Sequence, residues 1–191
     1  MKIKFLSLIF AGLLLTACNL NTSNNNGFKN PSENKVTNIQ DEQPETGDKQ
    51  LSQEDYQAAL DNFKKINQAF LIESSKQDGV ITTKSGLRYK IINKGNGKKP
   101  TPTDIVTVKY TGSLIDGTVF DSTDKHGKPA TFPLNQVIPG WIEGLQLMNE
   151  GSTYTLIIPP ELAYGDIPVG SIPPNSVLIF NVELLKVETG K

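Results

Sequence analysis

One histidine, His126, and one cysteine, Cys18, leave this 191-residue chain few routes to covalent chemistry. A serine triad needs an imidazole base, yet His126 lies within Lys125-His126-Gly127-Lys128 and no Gly-x-Ser-x-Gly elbow occurs anywhere. His126 is therefore expected to be a solvated loop residue. A Cys/His zinc site lacks its ligands, and a lone cysteine closes no intramolecular disulfide. Gly95-Asn96-Gly97-Lys98 suggests a phosphate loop but lacks the Gly-x-x-x-x-Gly-Lys-[Ser/Thr] spacing, so it reads as a turn. Asp121, Glu143 and Glu161 could meet as a carboxylate pair for glycoside hydrolysis, but nothing in their spacing pairs them. No metal or cofactor is expected. With 19 Lys and Arg against 20 Asp and Glu, no strong field gathers nucleic acid, and none is expected as a partner.

What remains is a set of aromatic and aliphatic side chains with a few polar atoms among them: Tyr110, Phe120-Asp121, Val137-Ile138, Trp141, Tyr164 and Phe180. Each aromatic alone is ordinary core packing. Together, at strand ends and at the start of a helix, they describe an apolar pocket with a polar rim.

Positioning that set falls to a glycine- and proline-punctuated domain. Residues 79–191 hold 13 glycines and 10 prolines between short β-branched or alternating runs, which are all-β signals. Strands are expected over Leu87–Asn93, Asp104–Thr111, Thr118–Asp121, Ser152–Pro159 and Val177–Lys186, mostly antiparallel, with Val106, Val108 and Tyr110 on one face. Pro139 to Met148 places Trp141, Gly144, Leu145 and Met148 on one side, the pattern of a single short helix packed into the concave face of the sheet. Upstream, Ser52 with Asp55 forms a capping-box signature. Tyr56, Ala59, Leu60, Phe63, Ile66 and Phe70 then recur at steps of three and four, which predicts an amphipathic helix from about Gln53 to Lys76 within a segment 51–78. Its apolar stripe either packs against the adjoining domain or forms an oligomerising or client-cradling face, and the second, an exposed or partner-binding stripe, is expected. The fold class is thus α+β: a twisted antiparallel sheet around one short helix, preceded by a long helix.

The N-terminus reads as an address. Lys2 and Lys4 precede an apolar run of eleven residues, Phe5 to Leu15, where a spanning helix needs about 20, so residues 1–17 are expected to be a signal peptide. Leu15-Thr16-Ala17-Cys18 resembles the bacterial lipobox, in which the cysteine is acylated, palmitate being the usual amide-linked chain, and becomes the new N-terminus. Removing residues 1–17 leaves 17 basic against 20 acidic residues. A multiply acylated cysteine anchors firmly where one chain binds only marginally. Asn19, rather than an aspartate, follows Cys18, and by resemblance to that class an outer-membrane lipoprotein of the cell envelope is favoured. From Asn19 to Gln50 only Leu20, Phe28, Val36 and Ile39 are apolar in 32 residues, the composition of a disordered tether. The expected organisation is signal peptide 1–17, lipidated Cys18 and tether to residue 50, helix 51–78 and a domain over 79–191.

Six motifs then fall in order with family-like spacing. They are Val108-Lys109-Tyr110-Thr111-Gly112, Gly117-Thr118-Val119-Phe120-Asp121-Ser122, Val137-Ile138-Pro139-Gly140-Trp141, Ala163-Tyr164-Gly165, Ile172-Pro173-Pro174-Asn175, and the closing Leu178 to Leu185. Over about residues 80–188 the chain resembles the FKBP-type peptidyl-prolyl cis-trans isomerases. The helix followed by Gly79 to Lys90 further resembles the bacterial macrophage infectivity potentiator branch. Members of that branch usually carry a larger N-terminal dimerisation domain, whereas a tether and one helix precede Gly79 here, which leaves the oligomeric state open.

The resemblance implies a pocket with Trp141 as floor under the proline ring and Tyr110, Phe120, Val137, Ile138 and Phe180 as walls, with Ile172 in the substrate-binding set. It implies that the Ile138 N–H and the Tyr164 hydroxyl hold substrate carbonyls while Asp121 orients the rim. Ala130 stands where the best-known eukaryotic members have a bulky aromatic, and His126 where they have arginine, departures expected to alter ligand affinity more than basic activity. Proline-containing peptides and unfolded proteins are the implied partners, with tacrolimus- or rapamycin-type macrolides as inhibitors. The implied reaction is rotation about X-Pro bonds, and the rival readings are a holdase-like chaperone and a surface interaction module using the same pocket and helix.

Overall fold

The computed structural model of the protein describes residues 52–190. The expected signal peptide, the lipidated Cys18 and the tether lie outside the described residues. Helix α1 runs Gln53–Ser74 and starts as the sequence dictates: the Ser52 hydroxyl accepts from the Asp55 N–H at 3.1 Å, and the Asp55 carboxylate accepts from the Ser52 N–H at 3.3 Å. It ends two residues earlier than expected because the Ser74 and Ser75 hydroxyls fold back onto the carbonyls of Leu71 and Ile72. Its apolar stripe is divided. Leu60, Phe63, Phe70 and Leu71 are half-buried, whereas Tyr56, Ile66 and Ile72 are exposed. The helix meets the domain through a polar residue: Asn67, 2% exposed, accepts from the Val177 N–H at 2.8 Å. Its amide also donates to the Phe63 carbonyl at 2.9 Å.

Seven strands follow in one sheet, every pair antiparallel: β1 Val80–Thr82, β2 Arg88–Asn93, β3 Ile105–Ser113, β4 Val119–Ser122, β5 Ala130–Pro133, β6 Thr153–Ile158 and β7 Leu178–Glu188. The order is β1-β2-β6-β7-β3-β4, with β5 also paired to β3. Five of these lie within two residues of expectation; β1, β5 and the one-turn helix α2, Thr123–His126, were not anticipated. The edge of β3 explains α2. Its first half, Ile105 to Val108, pairs with β5, and its second half, Thr111 to Ser113, pairs with β4, so α2 fills the step between two strands sharing one edge.

Period-two burial makes the concave face. Leu178, Phe180, Val182 and Leu184 of β7 are buried alongside Val106 and Val108 of β3 and Leu156 and Ile158 of β6. Into that face packs α3, Pro139–Leu145, with Trp141 and Leu145 buried on it and Met148 buried just beyond its end. Close approach requires glycine on the contacting side. A Cβ at Gly144 would stand 2.7 Å from Leu156 Cδ1, and one at Gly140 would collide with Ile158 Cγ2. Each fully buried Leu or Ile contributes ~1.5 to 3 kcal/mol, so the sheet-and-helix core is the stable frame on which the site is built. Among the described residues no helix is long and apolar enough to cross a membrane.

Candidate functional site

At the open end of the concave face is a cavity of about 560 Å³. It is lined by Tyr110 from β3, Phe120 and Asp121 from β4, Val137, Ile138 and Trp141 around the start of α3, Tyr164 and Ile172 from the loop before β7, and Phe180 from β7. Every pocket residue expected from sequence is therefore brought together. Two others line it that were not anticipated, Phe132 of β5 and Gln136 of the 3-10 turn Leu134–Gln136. Phe132 sits in a four-residue strand that follows Pro129 and ends on Pro133, prolines that hide the strand, although its step of two from Ala130 was a usable signal.

The walls are ring edges set against rings. Tyr110 and Phe180 stand 5.1 and 5.2 Å from Trp141 at 88° and 83°. Phe132 stands at 6.0 Å and 86° from the same indole, and Phe120 meets Phe180 at 5.5 Å and 82°. Edge-to-face contacts of this kind fix each ring's orientation as well as burying it. Gly112, opposite Phe180 in the ladder, makes room for them: a Cβ there would stand 2.7 Å from both the Phe120 and Phe180 rings. The Trp141 Nε1–H is buried with no hydrogen-bond partner among the described residues.

Tyr110, Asp121, Gln136 and Tyr164 bring polar atoms to the lining. The Tyr110 hydroxyl donates to Asp121 Oδ2 at 2.5 Å, and Asp121 Oδ1 accepts from the Ser122 N–H at 2.8 Å. These bonds have an electrostatic consequence. The Tyr110 hydroxyl, then the Ser122 N–H and His126, hold the Asp121 carboxyl below the usual carboxylate range against the opposing effect of burial. Burial first, and the bond to Asp121 second, push the Tyr110 phenol well above its ordinary value. The pair is thus a fixed phenol donor and a fixed carboxylate acceptor, with no proton to exchange near neutrality. Ile138, at the N-cap of α3, accepts from the Trp141 and Ile142 N–H groups at 2.9 and 3.1 Å, while its own N–H takes no partner among the described residues. Tyr164 is 36% exposed at the mouth, facing both cavity and solvent.

One expectation changes. His126 is not a loop residue: it ends α2, and its Nε2 lies 3.5 Å from Asp121 Oδ1. The three carboxylates do not assemble, since Asp121 alone lines the cavity and Glu143 accepts from the Ser85 hydroxyl at 2.5 Å instead. Gly95 and Gly97 lie in an irregular stretch with a bend at Gly97 rather than in a hydrogen-bonded turn, packed so tightly on Glu150–Ser152 that a Cβ at either would clash.

Comparison with known proteins extends beyond the pocket. The family described as FKBP-type peptidyl-prolyl cis-trans isomerase matches residues 96–185, and that described as the domain amino terminal to FKBP-type peptidyl-prolyl isomerase matches residues 20–91. Over 130 residues the chain is 55% identical to the FKBP-type peptidyl-prolyl cis-trans isomerase FkpA of Aeromonas hydrophila, covering 68% of this chain and 48% of that one. It is 56% identical over 121 residues to the outer membrane protein MIP of Legionella longbeachae, covering 63% and 52%. The crystal structure of FkpA from Escherichia coli superposes with a TM-score of 0.67 at 42% identity, over 72% of this chain and 67% of that one. The chain spans about half the length of the curated relatives it matches.

Proposed function

The chain belongs to the family of FKBP-type peptidyl-prolyl cis-trans isomerases, and on that premise we propose that it accelerates rotation about X-Pro bonds in proteins of the bacterial cell envelope. The observation that carries this reading is the cavity itself: an aromatic-walled site in which Tyr110, Phe120, Phe132, Trp141 and Phe180 surround a Tyr110–Asp121 hydrogen-bonded pair. Rotation about the imide must surmount ~18 to 20 kcal/mol because twisting removes amide resonance, and uncatalysed it takes tens to hundreds of seconds. No bond is made or broken. The twisted imide has less charge separation than the planar one, so transfer from water to an apolar pocket favours it, as does a shape complementary to the twisted form.

In this reading the proline ring rests on Trp141 between Tyr110, Phe120, Val137, Ile138, Ile172 and Phe180. The unpartnered Ile138 N–H and the Tyr164 hydroxyl hold the flanking carbonyls, and Asp121, locked by Tyr110, faces the twisting bond. A protease-coupled assay on an Ala-Leu-Pro-Phe peptide tests it. Turnover above the thermal rate, suppressed by a tacrolimus- or rapamycin-type macrolide, is expected; a chain that leaves the thermal rate unchanged has another function.

A second reading, a holdase that binds unfolded chains, is favoured by the exposed Tyr56, Ile66 and Ile72 on α1. Suppression of aggregation by a pocket-disabled variant separates it from the first. Anchoring through acylated Cys18 at the outer membrane is part of the same proposal, supported by the lipobox residues and by the outer membrane protein among the relatives.

A further inference from the structure

The loop that brings Tyr164 and Ile172 to the cavity hangs on a neck, and helix α1 holds the neck. Residues 164–175 close on themselves. The Asn175 N–H donates to the Gly165 carbonyl at 2.7 Å, with Asn175 left-handed at φ 60°, and Val169 and Ile172 exchange backbone bonds at 3.0 and 2.9 Å. Just beyond, the Ser176 hydroxyl donates to the Pro173 carbonyl at 2.6 Å. Ladder pairing of β7 begins only at Leu178, opposite Ile158, so Ser176 and Val177 join the loop to the sheet without belonging to either. Both are buried, and a buried N–H must find an acceptor. For Val177 that acceptor is Asn67 Oδ1 of α1 at 2.8 Å.

Among the described residues this is the one hydrogen bond that joins α1 to the domain. Asn67 stands in the middle of the half-buried stripe, two turns after Leu60, one after Phe63 and one before Phe70 and Leu71. An apolar residue there would continue the stripe; the carboxamide is fixed instead by donating to the Phe63 carbonyl and accepting from Val177. The other walls do not depend on this tie. Tyr110, Phe120 and Phe180 sit on strands and Trp141 on α3, with Phe180 paired to both Gly112 and Leu156, whereas neither Tyr164 nor Ile172 belongs to a strand of the sheet.

Resting on the isomerase reading, we propose that Asn67 is a positioning residue of the site: by holding the Val177 N–H it fixes the neck of the 164–175 loop and sets Tyr164 and Ile172 at the cavity, which makes α1 part of the substrate-binding apparatus. Those two residues grip the proline ring and a flanking carbonyl, groups present in the planar and twisted forms alike. Loss of their register therefore weakens binding in both states, raising KM and leaving kcat nearly unchanged. A merely structural role does the reverse, since loss of folded protein lowers apparent kcat and leaves KM alone.

Asn67→Leu keeps the volume and continues the apolar stripe but presents no acceptor, whereas Asn67→Asp keeps an oxygen in the place of Oδ1. The protease-coupled assay, with the concentration of the Ala-Leu-Pro-Phe peptide varied, separates kcat from KM at a temperature where thermal melts show every variant folded. Asn67→Leu is expected to raise KM about three- to tenfold, the upper bound being what one neutral hydrogen bond is worth, with kcat within about twofold of wild type. Asn67→Asp should resemble wild type in both. In parallel, the labelled Ile172 methyl resonance should move or broaden in Asn67→Leu while that of Ile105, at the other end of the β3 ladder, stays in place. If Asn67→Leu does not fold, Asn67→Ala is read by the same two measures. Wild-type KM in the folded variant, a fall in apparent kcat alone, or equal rises in KM for Asn67→Leu and Asn67→Asp each overturns the role of this acceptor. An unmoved Ile172 resonance overturns the positioning itself, and absence of turnover in wild type removes the isomerase reading and with it the kinetic role.

Discussion

Tyr164→Phe deletes one hydroxyl and leaves a ring at the cavity mouth, so it measures a contact without moving a wall. Loss of a neutral hydrogen bond costs ~0.5 to 1.5 kcal/mol of transition-state binding, hence up to roughly tenfold in kcat/KM. Asp121→Leu should cost more, because it removes the rim charge and strips the Tyr110 hydroxyl of its acceptor at 2.5 Å in one step. Both variants should retain the fold, as neither residue belongs to the fully buried core. Trp141→Ala would be a poor comparison, since truncating a buried aromatic typically removes ~3 to 5 kcal/mol of stability. Wild-type rates in both folded variants would mean that the cavity is not where rotation is catalysed. At this scale the sequence was most legible where residue type and neighbourhood agree: Phe120-Asp121 at a strand end and Val137 to Trp141 at a helix start had one plausible joint use. His126 was opaque because its meaning lies in proximity to Asp121, five residues away across a turn that no periodicity announces.

Periodicity carried the elements, and its failures are physical. Leu178 to Leu184 and Val106 to Val108 alternate because one face of the sheet is core, so β7 and β3 could be seen. β1 is three residues long, shorter than two full alternations, and β5 is flanked by Pro129 and ends on Pro133, which demote a short run as a strand. In α1 the 3.6-residue stripe showed an apolar face but not what covers it, and the answer turns on Asn67, a polar residue. Its carboxamide satisfies the Val177 N–H, in the segment that leads from Ile172 into β7. Asn67→Ala should leave that buried donor unpaired at a cost of about 1 to 3 kcal/mol, lowering the melting temperature by several degrees. Cleavage within α1 in limited proteolysis should accelerate in parallel, because the helix loses its polar tie to the domain. A variant that melts and is cleaved like wild type would show that α1 docks by its half-buried Leu60, Phe63, Phe70 and Leu71 alone.

For the whole molecule, the proposed anchor and the proposed catalyst lie in separate stretches of chain and should be separable by mutation. All eleven residues that line the cavity fall between positions 110 and 180, whereas the lipobox ends at Cys18. One acyl chain gives only marginal membrane binding and several give stable anchoring, so everything that holds the mature protein at a bilayer is assigned to a single sulfur and the amine beside it. Cys18→Ser removes that sulfur and nothing that touches the site. The expected result is loss of acyl labelling and transfer from the membrane pellet and detergent phase to an unprocessed or soluble form. Prolyl turnover per folded molecule should stay the same, because the aromatic cage and the Tyr110–Asp121 pair are built entirely from the domain. Unchanged acyl labelling in the variant would place the lipid elsewhere or remove it from the account. A parallel fall in turnover would show that the N-terminal residues reach the pocket, and that anchor and catalyst are one device.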